Sequence, residues 1–331
     1  MLFCDSQESS VMEGSPNHHL PPSHFQYRPS LSLFFILLSM SQEDSFKYNR
    51  ATVVGPGLLG ASIAMGLKKK HMVKELWVWL RSEAKKDHCA SSAWCDHATN
   101  NLQEAVVGSD LVILCTPVET ITEQINQVSK WVNPQCIVTD IGSLKNTICS
   151  AAVEAFKDKE SSFIGSHPMT GSEKSGLEYA SSEILENKNC IVTPSSEDDP
   201  ESFDKMKRMW EGLGMRVTKM SPAKHDQIVG CISHLPHVVA SCLVNTVEQK
   251  NFDQLYLCGD GLRDTTRIAA GNPEMWQQII LGNKENLVEM MDDMVDQLYR
   301  LKDAIAKNDK RSVGDFLEKA KVVRDELDDK R

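Results

Sequence analysis

The sequence lacks an excess of basic residues. Its 331 residues include 36 Lys and Arg against 46 Asp and Glu, which gives a formal net charge of −10. Because nucleic acids and anionic membrane surfaces are bound by clustered Lys and Arg, we expect neither as a partner. The basic run at 67–70 is interpreted as the solvated end of a helix.

The sequence also lacks long hydrophobic runs and paired cysteines. The apolar stretch at 31–40, LSLFFILLSM, is far too short to span a bilayer. The ten cysteines are scattered without a CxxC pair, which favours a reduced cytoplasmic protein over a disulfide framework or a zinc site. No internal repeat or low-complexity region occurs. With 41% hydrophobic and 25% charged residues, the composition is that of a globular protein large enough for two domains.

Residues 1–45 are predicted to be an unstructured N-terminal lead, because Pro, Ser and His follow one another there without a pattern. A secretory signal is disfavoured, since the segment before the apolar stretch is long and nearly uncharged and no A-x-A-like cleavage site follows. An alternative is that translation begins at Met40, which is followed by a short polar lead and then the first strand.

A glycine-rich turn lies between the first strand and the first helix. The β-branched run ATVV leads into GPGLLG at 55–60 and then into an apolar-periodic helix. In that context Gly55 makes the turn, Gly57 lets the backbone approach a pyrophosphate, and Gly60 allows close packing of helix on strand. We therefore predict a dinucleotide site, with a turn kept only for packing as the alternative. The predicted cofactor contacts here are Gly55, Gly57, Leu58, Leu59 and Gly60.

The end of the second strand predicts which dinucleotide is bound. NAD enzymes usually place an Asp or Glu there to hold the ribose 2′-hydroxyl, whereas an Arg accommodates a 2′-phosphate. Here Leu80 is followed by Arg81 and Ser82, and no acid stands at the strand end. NADP is therefore favoured over NAD, with a solvated Arg81 as the alternative interpretation.

Strands and helices continue to alternate along the chain, which predicts an α/β fold. We expect a mostly parallel, Rossmann-type doubly wound sheet over residues 46–221. Ligands bind beyond the carboxyl ends of the strands in such sheets. Thr116, Pro117, Ser143 and His167 fall at those ends, the first two as cofactor contacts.

Beyond Pro222 the pattern is helical only, which predicts an all-α domain at 222–331. Pro236 is expected to kink a long apolar helix. Between 284 and 309 apolar residues recur at alternating steps of four and three, a spacing that suits helix packing. We expect this seam to form a homodimer interface, with an internal core as the alternative. Its members are Leu287, Met291, Met294, Leu298, Leu301 and Ile305.

Four spaced motifs behind the glycine turn resemble those of the prephenate/arogenate dehydrogenases of tyrosine biosynthesis. In order they are TDIGSLK, GSHPMTGSEKSG, HDQIVGCISHLPH and GLRDTTRIAAGNPEMW, and the resemblance covers about residues 50–310. It implies an oxidative decarboxylation, in which hydride leaves the ring carbon bearing the 4-hydroxyl for the nicotinamide. Carbon dioxide leaves the opposite ring position, and the ring becomes aromatic.

The resemblance also implies roles for individual residues. His167 matches the catalytic histidine, whose neutral imidazole suits acceptance of the hydroxyl proton near pH 7. Ser143 matches a serine that bonds near the same hydroxyl and helps set the imidazole tautomer. Without the neighbouring motifs, His167 would be interpreted as a histidine satisfied by backbone in a tight turn.

Further matches lie in the last two motifs. Arg267 matches the arginine that binds a substrate carboxylate, a task suited to a planar guanidinium. His237 matches a substrate-contacting position, with His225 supporting it, while His234 is interpreted as a core residue. Trp276 matches a tryptophan that lines the pocket, either from this chain or from a partner subunit.

Substrate choice is predicted from Glu173, six residues after His167. Arogenate carries an ammonium where prephenate has a ketone, so an acid there favours arogenate, although family members that accept prephenate also carry acids nearby. We expect prephenate, with arogenate as the alternative. A metal site is not expected, because ligating cysteines or clustered acids are absent near the histidines.

Two rival functions have distinct requirements. A β-hydroxyacid dehydrogenase or pyrroline-carboxylate reductase shares the two-domain layout, but the former would use a catalytic lysine and neither calls for GSHPMTG. A non-enzymatic NADP-binding regulator would not need His167, Ser143 and Arg267 together. Detection of hydride transfer from prephenate separates the enzyme from the regulator.

Overall fold

The computed structural model describes residues 47–170, 176–195, 200–250 and 255–329. Eight strands form one sheet in the first two thirds of the chain. They are β1 (Tyr48–Val54), β2 (Val73–Trp79), β3 (His97–Thr99), β4 (Leu111–Leu114), β5 (Ile137–Asp140), β6 (Ser162–Pro168), β7 (Asn189–Thr193) and β8 (Arg216–Lys219).

Within the described ranges, six α-helices accompany the sheet and six follow it. The first set is α1 (Leu58–Lys69), α2 (Glu83–Ala90), α3 (Leu102–Val106), α4 (Val118–Val128), α5 (Lys145–Phe156) and α6 (Pro200–Gly212). The second set is α7 (Pro222–Val229), α8 (Leu235–Glu248), α9 (Asp260–Thr266), α10 (Pro273–Gly282), α11 (Lys284–Ala306) and α12 (Lys310–Asp329).

The order of the strands confirms the predicted Rossmann-type sheet. It is β3-β2-β1-β4-β5-β6-β7-β8, and every pair is parallel except β6 with β7. Chain order reverses between β1 and β4, the place where dinucleotides bind in such sheets. Val54, Leu114 and Asp140 are in register at the carboxyl ends of β1, β4 and β5, so the loops after these strands share one edge.

The sequence did not predict two features of this sheet. Strand β3 is only three residues long, too short for a periodic signal. Between β6 and the antiparallel strand β7, the described residues contain only two short 3-10 turns, in place of the α-helix that a parallel crossover uses. His167 consequently lies within β6, paired with Ile191 of β7, rather than after the end of a strand.

Helices cover both faces of the sheet. One apolar cluster packs α1 and α6 on one face and includes the fully buried Trp210, while a second packs α4 and α5 on the other. The indole Nε1 of Trp210 donates a hydrogen bond to Ser166 Oγ at 3.0 Å, which ties the core to the strand that carries His167. Burial of large apolar side chains on both faces therefore stabilises the sheet that carries the site.

The described residues from Pro222 onward form helices and no strand, as predicted. The disturbance expected at Pro236 takes the form of a π-helical turn, Gly230–His234, directly before α8. By length and composition alone, the continuous helix from Pro222 to Glu248 could cross a membrane, a test that core helices also pass. This helix carries buried His225, Asp226, His234 and His237, which face the site. The division into two domains at residue 221 stays a prediction.

Candidate active site

The turn after β1 is shaped for glycine. Gly55 has a φ of 84°, and a Cβ there would lie 2.6 Å from Thr116 Cγ2. A Cβ on Gly60 would lie 2.9 Å from both Cys115 Cβ and the Gly55 oxygen. These two glycines are therefore needed for the packing of α1 against the ends of β1 and β4.

Gly57 differs, because a Cβ there would meet no protein atom within 4 Å. It is the N-cap of α1, and no side chain caps the amides of the first turn, which opens with Leu58 and Leu59. Unpaired helix N-terminal amides beside open space fit a pyrophosphate. The residues present therefore fit the predicted dinucleotide.

We expect the change Gly57→Ala to weaken NADP binding about 10- to 100-fold, the result of placing a methyl group where the pyrophosphate approaches. The fold should be unaffected, since the space around Gly57 is open within the protein. Fluorescence titration with NADPH and thermal unfolding measure both properties. Gly60→Ala is the matched control, expected to lower the free energy of unfolding by about 1–3 kcal/mol. Unchanged NADPH binding by the Gly57 variant would contradict this role.

The predicted cofactor-choosing residues follow β2 directly. Ser82 caps α2, with its hydroxyl accepting from the Lys85 amide, and Arg81 is exposed. Asn100 Nδ2 donates to the carbonyls of Leu80 and Arg81, at 2.9 and 3.3 Å, and so fixes the backbone here.

After the end of β4, Thr116 donates a hydrogen bond to Gln124 Oε1 at 2.7 Å. Pro117 occupies the N-cap position of α4. Thr116 also lies against Gly55, as the methyl contact above shows. The predicted contacts with the cofactor therefore cluster at the switch between β1 and β4.

Three side chains form a hydrogen-bonded relay beside this edge. His167 Nδ1 lies 2.8 Å from His225 Nε2, and His225 Nδ1 lies 2.7 Å from Asp226 Oδ1. Because the carboxylate accepts, His225 carries its proton on Nδ1 and accepts at Nε2. His167 must then donate from Nδ1, which leaves its Nε2 as a proton acceptor. That nitrogen makes no hydrogen bond to the described part of the chain.

The surroundings keep both histidines neutral. Burial, followed by the neighbouring His225, Lys145 and His234, holds the pKa of His167 well below 6.5. Burial also lowers the pKa of His225, although its hydrogen bond to Asp226 opposes the change. A neutral imidazole at physiological pH is the state a proton acceptor requires.

Asp226 is held at a fixed position by several donors. Its Oδ1 accepts the Lys145 amide at 2.8 Å, and its Oδ2 accepts the Asn146 amide at 2.9 Å. Asn283 Nδ2 donates to the Asp226 carbonyl at 2.8 Å. These contacts join α5, α7 and the start of α11 around one residue, Asp226.

The sequence analysis missed Asp226, Lys145 and Asn283. A signal for Asp226 was present, since an acid directly after the candidate His225 is suited to orient it. Lys145 belongs to the motif TDIGSLK, but nothing in the sequence shows that it is buried. Asn283 lies between two helices and carries no local signal.

An aromatic wall lies next to the relay. His237 stacks on Trp276, with ring centroids 3.6 Å apart and an interplanar angle of 10°. His234 meets the edge of the same indole at 6.1 Å. Gly271 allows the contact, because a Cβ there would lie 2.4 Å from Trp276 Nε1. Trp276 thus lines this wall from the same chain as His237.

Two nitrogens of this wall are buried without a partner among the described residues, His234 Nε2 and His237 Nδ1. His234 also contacts Asn283 Nδ2 at 3.0 Å, which links the wall to Asp226. Burial lowers the pKa of His234 to about 4 and that of His237 below its usual value. His234 is therefore buried, as predicted, but it borders the site rather than filling a separate core.

The remaining predicted residues lie in different parts of the structure. Ser143 lies in the loop after β5, partly exposed, and makes no hydrogen bond to the described part of the chain. Arg267 begins the short 3-10 helix Arg267–Ala270, which packs on α8. Glu173 lies outside the described residues. No group of three or more metal-ligating side chains suited to a metal ion occurs in the ranges that the structure describes.

The pKa of His234 predicts a pH dependence of stability. Its folded value of about 4 lies below the usual 6.5, so the unfolded chain binds more protons between these values, and stability falls as pH falls through that window. We expect His234 to contribute a loss of about 2 kcal/mol between pH 7 and pH 5. Urea unfolding of wild type and His234→Gln at both values measures it, with the exposed His88→Gln as control. Equal losses in all three proteins would contradict the assignment.

Two family models match adjacent parts of the chain. The prephenate dehydrogenase nucleotide-binding domain matches residues 63–219, and the prephenate dehydrogenase dimerization domain matches residues 221–319. The chain belongs to the prephenate dehydrogenase family. The resemblance expected from the four motifs is thereby confirmed.

Individual relatives agree. Prephenate dehydrogenase of Bacillus subtilis is 30% identical over 83% of this chain and 75% of its own length. Cyclohexadienyl dehydrogenase of Zymomonas mobilis is 30% identical over 82% of this chain and 92% of its own length. The structure of Aquifex aeolicus prephenate dehydrogenase with hydroxyphenyl propionate and NAD+ is 30% identical, with a TM-score of 0.79 over 84% of this chain and 98% of that one.

Proposed function

We propose that this chain oxidises and decarboxylates prephenate to 4-hydroxyphenylpyruvate, with a nicotinamide dinucleotide as hydride acceptor. The observation that carries the proposal is the relay of His167, His225 and Asp226, which leaves one imidazole nitrogen as a proton acceptor at the ligand edge of the sheet. The dinucleotide turn at the same edge supports it. Arogenate is the second candidate substrate, favoured by a Synechocystis arogenate dehydrogenase structure that is 28% identical, with a TM-score of 0.74 over 84% of this chain and 99% of that one.

The relay supplies the chemistry that the hydroxyl carbon needs. A bound nicotinamide supplies the acceptor for the hydride. His167 Nε2 accepts the proton of the ring 4-hydroxyl, so that electron density can move from oxygen to carbon as the hydride leaves. The imidazolium that forms at His167 donates from Nδ1 to His225, whose orientation Asp226 fixes. Loss of carbon dioxide from the opposite ring position then sends the electron pair of the broken bond through the ring to the 4-oxygen. The ring becomes aromatic, and the oxygen takes the proton back from His167.

Burial makes this transfer effective. His225 and Asp226 are almost fully buried, and no solvent competes for the acceptor nitrogen of His225. In such surroundings a fixed carboxylate stabilises the developing positive charge more than it would in water. The chain therefore provides a general base whose partners are already oriented before substrate binds.

The substrate carboxylates are assigned to the side of the site that carries Arg267 and the aromatic wall. Arg267 begins a 3-10 helix next to the His237–Trp276 stack, and a guanidinium binds carboxylate in a bidentate manner. His237 Nδ1 is a buried nitrogen beside that stack, suited to a polar group of the substrate. Ser143 is assigned to the ring hydroxyl beside His167. Glu173 remains the predicted contact for the substrate side chain.

Arg81 supports NADP as the preferred cofactor. It follows β2 where a ribose 2′-phosphate would lie, and Leu80 rather than an acid precedes it. The contacts from Asn100 fix the backbone of this turn, so the arginine is presented from a defined position.

A second copy of the chain is the proposed partner. The predicted seam is divided in the structure, with Leu287 buried within the chain while Met291, Leu298 and Ile305 are exposed along α11. Exposed apolar rows of this length are suited to association. The match to a dimerization domain over this region supports a homodimer.

An assay with both substrates and both cofactors tests the proposal. We expect reduced nicotinamide to form with prephenate and NADP+, with 4-hydroxyphenylpyruvate and carbon dioxide in equal amounts. Arg81→Ala should raise the KM for NADP+ about 10-fold or more, the loss of one charge-assisted contact, and leave the KM for NAD+ unchanged. A preference for arogenate would identify the second candidate, and no reduction with either substrate would refute dehydrogenase activity.

A further inference from the structure

A fully buried lysine lies between two parts of the site, called its arms here: the strand that carries His167, and the pair His225 and Asp226. Lys145 is the first residue of α5, and its side chain and that of its partner Asp140 are both 0% exposed. Its ammonium forms an ion pair with Asp140 and donates to the Ser166 carbonyl at 2.8 Å. Ser166 directly precedes His167, so this contact acts on the strand that carries the proton acceptor.

Ser166 forms hydrogen bonds through its amide, its carbonyl and its hydroxyl. Its amide donates to Asp140 Oδ1 at 3.2 Å, and its carbonyl accepts from Lys145. Its hydroxyl accepts from Thr139 Oγ1 at 2.9 Å and from Trp210 Nε1 at 3.0 Å. The Lys145–Asp140 pair therefore supplies both backbone contacts of the residue before His167.

The other arm begins at the same lysine. The backbone amide of Lys145 donates to Asp226 Oδ1, the oxygen that also contacts His225. The side chain of Lys145 thus fixes the strand of His167, and its backbone fixes the carboxylate at the far end of the relay.

We propose that Lys145 is a positioning residue, which holds His167 and the His225–Asp226 arm at one mutual geometry. The inference rests on the proposed function, since it assigns a role within the same site. A lysine is not required here for stability alone, because a buried ion pair often gains no more than a hydrophobic residue of similar volume. The contacts of Lys145 with both arms of the site explain why a lysine occupies this position.

The charge of Lys145 also acts on the relay. It lowers the pKa of both His167 and His225. The titratable groups around Lys145 are these two histidines, one carboxylate on β5 and one on α7, a thiol on β7 and a thiol on its own helix. They are His167, His225, Asp140, Asp226, Cys190 and Cys149.

Three variants of the full chain test the proposal, with Lys68→Met as control. Lys68 forms an ion pair with Asp96 at 2.7 Å on the surface, so its replacement removes a lysine pair away from the relay. We expect Lys145→Met to reduce kcat about 100-fold, as for a misplaced catalytic group, with NADPH binding unchanged. The titration of the His167 imidazole in this variant, measured by 15N NMR, should move to higher pH.

Asp140→Asn removes a carboxylate that raises the pKa of His225, and it should move the titration of His225 to lower pH. The double variant Lys145→Met, Asp140→Asn has no buried charge left unpaired and carries the test if the single variants do not fold. We expect it to keep the 100-fold loss, because the contact with the Ser166 carbonyl is still missing.

Two results would overturn the positioning role. They are an unchanged kcat in folded Lys145→Met or in the double variant, and an unchanged His167 titration in Lys145→Met. If wild type oxidises neither prephenate nor arogenate, the proposed function fails instead. In that case the NMR titration by itself decides the role of Lys145. A shift of the His167 titration in Lys145→Met supports the role, and a titration equal to that of Lys68→Met refutes it.

Discussion

Replacement of His167 by asparagine is expected to reduce kcat about 10²- to 10⁴-fold, the usual contribution of a positioned general base. Asparagine can still contact His225, but its amide cannot accept a proton at physiological pH. The KM for prephenate should change far less than kcat, because the carboxylates are assigned to Arg267. Steady-state kinetics at saturating cofactor separate the two effects.

The control for this variant is His88→Asn, which changes an exposed histidine away from the relay. It should keep the kinetics of the wild type. Full turnover by His167→Asn with unchanged prephenate binding would show that another group accepts the proton.

Asp226→Asn should cause a loss of similar size, about 10²- to 10⁴-fold in kcat. The asparagine amide can donate to His225 Nδ1, and His225 would then carry its proton on Nε2, toward His167. His167 would have to accept at Nδ1 and carry its own proton on Nε2, so that it could no longer accept from the substrate. The relay would be reversed without the loss of any side chain from it.

The same substitution should also weaken the fold at α5. Asp226 accepts the amides of Lys145 and Asn146 on its two oxygens, and asparagine has only one. The expected cost is about 1–3 kcal/mol for a buried donor left unpaired.

The matched control for Asp226→Asn is Asp309→Asn. Asp309 accepts the Ser312 amide at the start of α12, which is the same kind of contact at an exposed helix end. It should leave kcat unchanged. An Asp226→Asn enzyme that is folded and fully active would contradict the tautomer argument.

The sequence predicted the parts of this site that depend on local pattern. The glycine turn at 55–60 was identified from its place between a strand and a helix, and the structure gives Gly55 and Gly60 the close contacts such a turn needs. His167 and His225 were singled out through family motifs, and the structure joins them although 58 residues separate them.

The features of the site that depend on tertiary contacts could not be predicted from the sequence. Asp226 receives the amide of Lys145, 81 residues earlier, and this pairing exists only because α5 and α7 pack together. Burial of Lys145 reverses the usual expectation for a lysine, since lysine is rarely buried unless it is paired. The return of β7 beside β6, which places His167 within a strand, carries no periodic signal either.

The pH dependence of kcat/KM for prephenate oxidation by the wild type tests the central claim, that a neutral His167 accepts the substrate proton. Burial and its neighbours lower the pKa of this histidine well below 6.5, so it should stay unprotonated under mildly acidic conditions. We predict that kcat/KM remains level as pH falls through 6.5 and declines only at distinctly lower values. A decline that follows a pKa of 6.5 or higher would contradict the account.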